Sequence, residues 1–255
     1  MTIGIRPQAP VVEGDRQRAY RLFREGQAQK ARRLCEKILR KSRNDSIVLG
    51  VLGAIQFQSK EFEKSAATLE KAVAADPNNL DAVNNLGVVL NQLERYADAA
   101  DVLGRAAELG PNSAEHHHNL GVALKNAGRA WAALEAFRRA EEIDPRSAEA
   151  VNQQGLVLRA LGRSDEAVEC YRRSLRLRPH QAETYRLLAN VKTFVERDDD
   201  IRTMERLLAD PSARSGDVMR LCFALGKGVR GHRGLRRGIP LLRAGKQSAP
   251  RGSSL

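Results

Sequence analysis

The sequence predicts an all-α protein built from repeated helix pairs, and three observations carry that prediction. Four dipeptides, Asp76-Pro77, Gly110-Pro111, Asp144-Pro145 and Arg178-Pro179, place a proline every 34 residues. Ten residues after each of the first three prolines stands a glycine, Gly87, Gly121 and Gly155, and Gly53 opens the same series one period earlier. Residue size recurs in register as well. On a 34-residue frame opening at Ser46, Leu80, Ala114 and Ala148, position 20 is small (Ser65, Ala99, Ala133, Ala167) and so is position 27 (Ala72, Ala106, Ala140, Ser174). Position 24 is large (Leu69, Leu103, Phe137, Tyr171), and position 7 reads Leu52, Leu86, Leu120 and Gln154.

Each class has a physical role in a helical hairpin. Two antiparallel helices cross closely only where neither carries bulk, so the glycine at position 8 is expected to meet the small residue at position 20. The large residue at position 24 then fills the wedge beside them. Proline ends each second helix because it has no N–H and its ring clashes with the preceding turn, and it pushes the residue before it out of helical angles. One hairpin leaves an apolar face uncovered on each helix, so the pairs must stack. This pattern of Leu-Gly, Ala, aromatic and Pro over residues 46–181 resembles the tetratricopeptide repeat family. The resemblance implies a right-handed superhelical solenoid with helix pairs at 46–79, 80–113, 114–147 and 148–181.

Taken in order, residues 1–14 carry Pro7, Pro10, Gly4 and Gly14 and are expected to be a disordered lead, with order from Asp15. Tyr20, Leu22, Phe23, Ala31, Leu34, Cys35, Ile38 and Leu39 then recur at helical spacing around a turn at Gly26. Residues 12–45 therefore read as a divergent first repeat, with Ala19 in the glycine's slot. Its arginines, among them Arg16, Arg18, Arg32 and Arg33, form either a solvated face or a docking surface for an acidic partner. After the four complete repeats a partial unit, 182–195, puts Tyr185, Leu188 and Ala189 in the slots of Val151, Gln154 and Gly155, so the solenoid spans 15–195. A helical appendix, 196–228, is expected to cap it, with helices around Ile201–Leu208 and Asp217–Gly226. From Val229 to Leu255 there is no acidic residue, Gly, Arg, Ser and Pro dominate, and the helical period vanishes. A disordered basic tail is expected there.

A second resemblance lies in the appendix. Met204-Glu205-Arg206-Leu207-Leu208, followed by Leu221-Cys222-Phe223-Ala224-Leu225-Gly226-Lys227, is similar to the junction in bacterial proteins where tetratricopeptide repeats precede a sulfotransferase domain. That resemblance implies a catalytic domain binding 3′-phosphoadenylyl sulfate through a Gly-rich phosphate loop of Pro-Arg-Ser-Gly-Thr type. Pro211-Ser212-Ala213-Arg214-Ser215-Gly216 lacks the leading glycine and the trailing hydroxyl residue, and it follows a helical pattern instead of a strand. It reads as a surface loop, and no catalytic residue is assigned.

Composition narrows the function classes. The net charge of +12 is unevenly placed: +7 over residues 1–45 (12 basic, 5 acidic), −2 over 46–181 (16 and 18), 0 over 182–228 (8 and 8) and +7 over 229–255 (7 and 0). A body that tracks phosphates needs basic residues along its length, interleaved with stacking aromatics. The repeats have neither, which argues against a nucleic-acid partner. No apolar run is long enough to span a bilayer, and the N-terminus lacks a basic, apolar and small-residue signal pattern, so a cytoplasmic protein is expected. Cys35, Cys170 and Cys222 are odd in number and far apart, as reduced thiols would be. His116, His117 and His118 are consecutive and point about 100° apart on a helix, so they cannot share one metal. His117 is expected to pack against a neighbour and His118 to face the groove. No cofactor, metal or active site is assigned.

The groove positions are polar instead. In tetratricopeptide proteins, positions 2, 5, 6, 9, 12 and 13 of the first helix line the concave face. Here they include Asn84, Asn85, Asn91, Gln92, His118, Asn119, Lys125, Asn126, Asn152, Gln153 and Arg159. An amide donates and accepts, so such a ladder can pair with the backbone of an extended peptide whatever its sequence. The other reading is a solvated polar face. Asn85 and Asn119 stand where the repeats of O-linked N-acetylglucosamine transferases carry peptide-gripping asparagines, while the lysine and asparagine clamp of chaperone-tail binders is not reproduced. Two functions follow as expectations: a protein–protein adaptor that binds a peptide segment, or the substrate-recruiting part of a sulfotransferase-type or glycosyltransferase-type enzyme.

Overall fold

The computed structural model describes residues 11–192, 194 and 199–228, and among these it contains thirteen α-helices and no strand. The chain divides into two units, Met1–Asp144 and Pro145–Leu255. Residues 1–10 of the expected lead and the whole expected tail lie outside the described residues. The first helix begins at Val11, inside the stretch expected to be disordered.

In the first unit eight helices form four hairpins. They are α1 (Val11–Arg24) with α2 (Ala28–Leu39), α3 (Ser46–Gln58) with α4 (Phe62–Ala75), α5 (Leu80–Gln92) with α6 (Tyr96–Leu109), and α7 (Ala114–Asn126) with α8 (Ala130–Ile143). The first helices α1, α3, α5 and α7 pack side by side in one row. Each of α2, α4 and α6 packs against its own partner and against the first helix of the next hairpin. In the second unit α9 (Ala148–Ala160) and α10 (Ser164–Leu177) form a further hairpin, and α10 packs on α11 (Ala182–Leu188). The helix covering α11 is α13 (Ser215–Gly228), tied to it by Arg220 Nε donating to Glu183 Oε2 at 3.0 Å, with α12 (Asp199–Ala209) against both. Ser215 and Gly216, expected in a loop, are the first residues of α13.

Two local devices repeat with the frame. The residue before each complete first helix caps it: Asp45, Asn79, Ser113 and Ser147 accept from the backbone N–H of Val48, Ala82, His116 and Ala150. Each cap satisfies one N–H that the helix leaves unpaired and is worth about 1 kcal/mol. The hairpin turns are equally regular. Gly26, Lys60, Glu94, Gly128 and Gly162, spaced by 34, all have positive φ between 61° and 77°. At each, the next residue's N–H reaches back to the helix, as Glu61 N does to Gln56 O at 2.9 Å, the left-handed C-terminal turn that glycine favours. Gly26 extends the frame through the divergent first repeat.

The packing at the crossing differs from the sequence expectation. A Cβ on Gly53, Gly87, Gly121 or Gly155 would fall 2.5, 2.3, 2.6 or 2.6 Å from Leu69, Leu103, Phe137 or Tyr171. The atoms nearest to such a Cβ all belong to the large residue at position 24, so that residue, more than the small one at position 20, fixes the glycine. The reason is reach: a long side chain lies across the partner helix, whereas a short one meets only the backbone, as Ser65 does by donating to Gly53 O at 2.7 Å. Leu69, Leu103, Phe137 and Tyr171 are all buried to within 1%, and each contributes roughly 1.5–3 kcal/mol by leaving water. Between hairpins, Arg32 on α2 donates to Glu61 before α4 at 2.6 Å. That bond, with Lys64 beside it, lowers the Glu61 carboxyl to about 2.

Candidate functional site

In the first unit the amides expected to grip a peptide bond one another. Asn119 Nδ2 on α7 donates to Asn84 Oδ1 on α5 at 3.0 Å, and Asn126 Nδ2 donates to Asn91 Oδ1 at 3.1 Å. Position 6 of one repeat thus pairs with position 5 of the repeat before it, and position 13 with position 12. Asn84 is only 6% exposed, so its amide serves the helix row and is not open to a ligand. A residue expected to line a groove is here a buried rung between two repeats. Lys125 is half-buried and Asn126 exposed.

The second unit repeats the theme. Asn152 is 4% exposed, and its Nδ2 donates to Thr184 Oγ1 on α11 at 2.7 Å, leaving Oδ1 buried without a hydrogen-bond partner. Gln153 Nε2 donates to Glu149 Oε1 at 2.9 Å, and Arg159 is exposed. Burial pushes the Tyr171 hydroxyl up to about 12, and the Arg159 guanidinium close by pulls against that rise.

The histidines sort differently from the expectation. His116 is the buried one, at the slot of the fully buried Ala82 and Ala150, with Nδ1 3.4 Å from Gly110 O. Gly110 admits it, since a Cβ there would fall 2.5 Å from that same nitrogen. His117, expected to pack inward, turns its Nε2 to Pro111 O at 3.0 Å. His118 stands edge-on to Phe137 with ring centroids 5.5 Å apart. Among the described residues no three His, Cys, Asp or Glu side chains gather as a metal site, and no helix is long and apolar enough to cross a membrane.

Two amides have no rung. Where α5 carries Asn84 and Asn91, α3 carries Gly50 and Phe57. Asn85 and Gln92, in the donor positions of the next repeat, consequently have no side-chain partner among the described residues. Asn85 instead lines a cavity of about 520 Å³ over the α1, α3 and α5 part of the row. Gly50, Val51 and Ala54 line it from α3, and Tyr20, Phe23 and Ile47 supply large apolar side chains. Tyr20 is 46% and Ile47 52% exposed. Asp76, Asn79 and Asp81 complete the lining, which among the described residues includes no lysine or arginine. These residues were absent from the expected site because α3 is apolar on every side and reads as core. The signal was present nonetheless: Ile47, Val51 and Ala54 occupy positions 2, 6 and 9 of the frame, the same positions that were taken to line the groove in later repeats.

The tetratricopeptide repeat family profile matches residues 16–79, 56–114 and 84–148, and a second profile, described as TPR repeat, matches 155–192. The resemblance expected between residues 204–227 and sulfotransferase-linked proteins falls outside the residues that these profiles match. No curated protein matches the chain. Among solved structures, MamA (residues 41 to the end) from Desulfovibrio magneticus RS-1 is 21% identical, with a TM-score of 0.62 over 68% of this chain and 98% of that one. Another MamA structure is 21% identical, with a TM-score of 0.56 over 82% and 99%. YrrB, described as a TPR protein with an unusual peptide-binding site, is 25% identical, with a TM-score of 0.61 over 67% and 88%. The 34-residue frame, the stacked hairpins and these matches agree: the chain belongs to the tetratricopeptide repeat family.

Proposed function

We propose that the chain is a protein–protein interaction module, an adaptor that takes an extended peptide segment along the open face of its first helices. The observation that carries this reading is the pairing of Asn84 with Asn119 and of Asn91 with Asn126, which singles out Asn85 and Gln92, without a side-chain partner among the described residues, as polar groups able to bond a backbone beside exposed apolar side chains. YrrB, a structural neighbour described by its peptide-binding site, supports the same class of ligand. Gln153 and Arg159 contribute the corresponding face of the second unit. The similarity of Met204–Lys227 to sulfotransferase-linked proteins would add a recruiting role to the same binding reaction and needs no different groove.

The test is to pan a random heptapeptide library against the full chain and then against a variant carrying Asn85→Arg and Gln92→Arg. Both positions are on the surface, so the fold should be kept. Enriched peptides should lose capture by the double variant and keep it with Lys71→Ala on α4. Capture unchanged by the double variant would move the binding surface elsewhere and overturn the proposal.

A further inference from the structure

The cavity over α1, α3 and α5 has a chemistry more particular than a backbone grip. Its volume of about 520 Å³ lies in the range of specific ligand pockets, which are apolar with a few placed polar groups. Here the apolar part is Tyr20, Phe23 and Ile47, with the buried Val51 also in the lining. The polar part is one amide and two carboxylates. Asn85 has no side-chain partner among the described residues. Asn79, by contrast, is engaged at both ends: its Oδ1 accepts from Ala82 N at 3.1 Å and its Nδ2 donates to Ser46 Oγ at 2.7 Å. The Asp76 carboxylate accepts from Asn78 N within its own turn, and among the described residues neither Asp76 nor Asp81 is in an ion pair. In a chain of net charge +12, this cavity is locally acidic.

We infer that this cavity is the anchoring pocket of the peptide, and that it selects a bulky apolar side chain next to a lysine or arginine. The inference rests on the proposed peptide-binding function and adds the identity of the segment that binds. The apolar side chain leaves water against Tyr20 and Ile47. The neighbouring cation meets Asp76 and Asp81, and the amide of Asn85 pairs with the peptide backbone between them. A surface with one sign of charge draws the opposite sign and rejects its own, so an acidic peptide is excluded by the same two carboxylates.

The absent rung provides the variant that tests this without harming the fold. A Cβ on Gly50 would meet only Ala82 Cβ, at 3.8 Å, an ordinary contact. Gly50→Asn places an amide where Asn84 sits in the next repeat, and that amide can accept from Asn85 as Asn84 accepts from Asn119. The probe is a fluorescent heptapeptide with one Trp followed by two Lys, titrated into the full chain by anisotropy. The comparison peptides carry Glu for Lys, or Ser for Trp. Each comparison peptide should bind about tenfold or more weakly, ~1.4 kcal/mol. Gly50→Asn should weaken the Trp-Lys peptide while leaving Tm equal or higher, and Asp81→Lys should favour the Glu peptide. Equal binding of Lys and Glu peptides, or an unaltered affinity in Gly50→Asn, would overturn the anchoring pocket while leaving peptide binding elsewhere intact. Absence of binding by every peptide, here and in library panning, would instead overturn the underlying function. A self-associated form that Asp81→Lys dissociates would make a second copy the occupant and also overturn the proposal.

Discussion

The repeats 46–79 and 80–113 share one backbone plan and differ in what their first helices offer to the next one along. Both begin with a side-chain cap, Asp45 or Asn79, both turn through a left-handed residue, and both seat a leucine over a glycine. Yet α5 offers Asn84 and Asn91, which receive amides from α7, while α3 offers Gly50 and Phe57, which receive nothing. The frame therefore sets where a side chain goes, and the choice at positions 5 and 12 sets whether the face closes on itself or remains open.

The largest expected effect probes what the two repeats have in common. Gly53→Ala and Gly87→Ala each drive a methyl group to within 3 Å of a buried leucine, and overpacking of this kind costs about 1–3 kcal/mol. Thermal unfolding should show losses of similar size for both, and a loss in one repeat only would break the equivalence of their backbones. A smaller effect separates them. Asn84→Ala removes the acceptor of Asn119 and leaves a part-buried amide unpaired, at a cost of about 1 kcal/mol. The reciprocal change in the other repeat, Gly50→Asn, should cost nothing measurable, and a drop in Tm equal to that of Asn84→Ala would mean that α3 is not an open rung. The smallest concerns the turns. Lys60 and Glu94 hold φ of 61° where the later repeats use Gly128 and Gly162, and a side chain in that region costs roughly 1 kcal/mol. Lys60→Gly and Glu94→Gly should therefore raise stability by up to about 1 kcal/mol, while Gly128→Ala should lower it, all read from denaturant midpoints.

Much of the fold was legible because it is periodic. Proline at position 32, glycine at 8 and the size classes at 20, 24 and 27 each recur, and a recurring residue reports a recurring constraint. What periodicity cannot supply is which recurring residue touches which. Ala133 and Phe137 lie one turn apart in the same register, so the sequence could not say that Phe137, and not Ala133, lies over Gly121. The candidate site was legible in part. Asn85, Gln92 and Gln153 could be placed on the first helices from their frame positions. That Asn84 and Asn119 would satisfy each other could not, because an asparagine at a half-covered position is equally suited to water, a ligand or a neighbouring repeat. The apolar end escaped for the opposite reason: Ile47, 52% exposed, has the composition of a core residue, and only the frame distinguishes an apolar residue that is covered from one that is not. His116 was obscured by its two neighbours, since three identical residues give no pattern from which to choose the buried one.

The cap positions bear on where this chain can be cut. Each first helix is capped by the last residue of the repeat before it, so the unit that folds as a piece is displaced from the unit that repeats in the sequence. A fragment opened at Ser46 would lose the carboxylate that accepts from Val48 N and would begin with its most apolar helix, SIVLGVLGAIQFQ, uncapped. A fragment opened at Asn44 keeps that carboxylate, though it still loses the ion pair from Arg16 Nε to Asp45 at 2.7 Å. Shuffling, duplicating or transplanting these repeats should respect joints one or two residues upstream of the sequence period, with the capping residue travelling with the helix it serves.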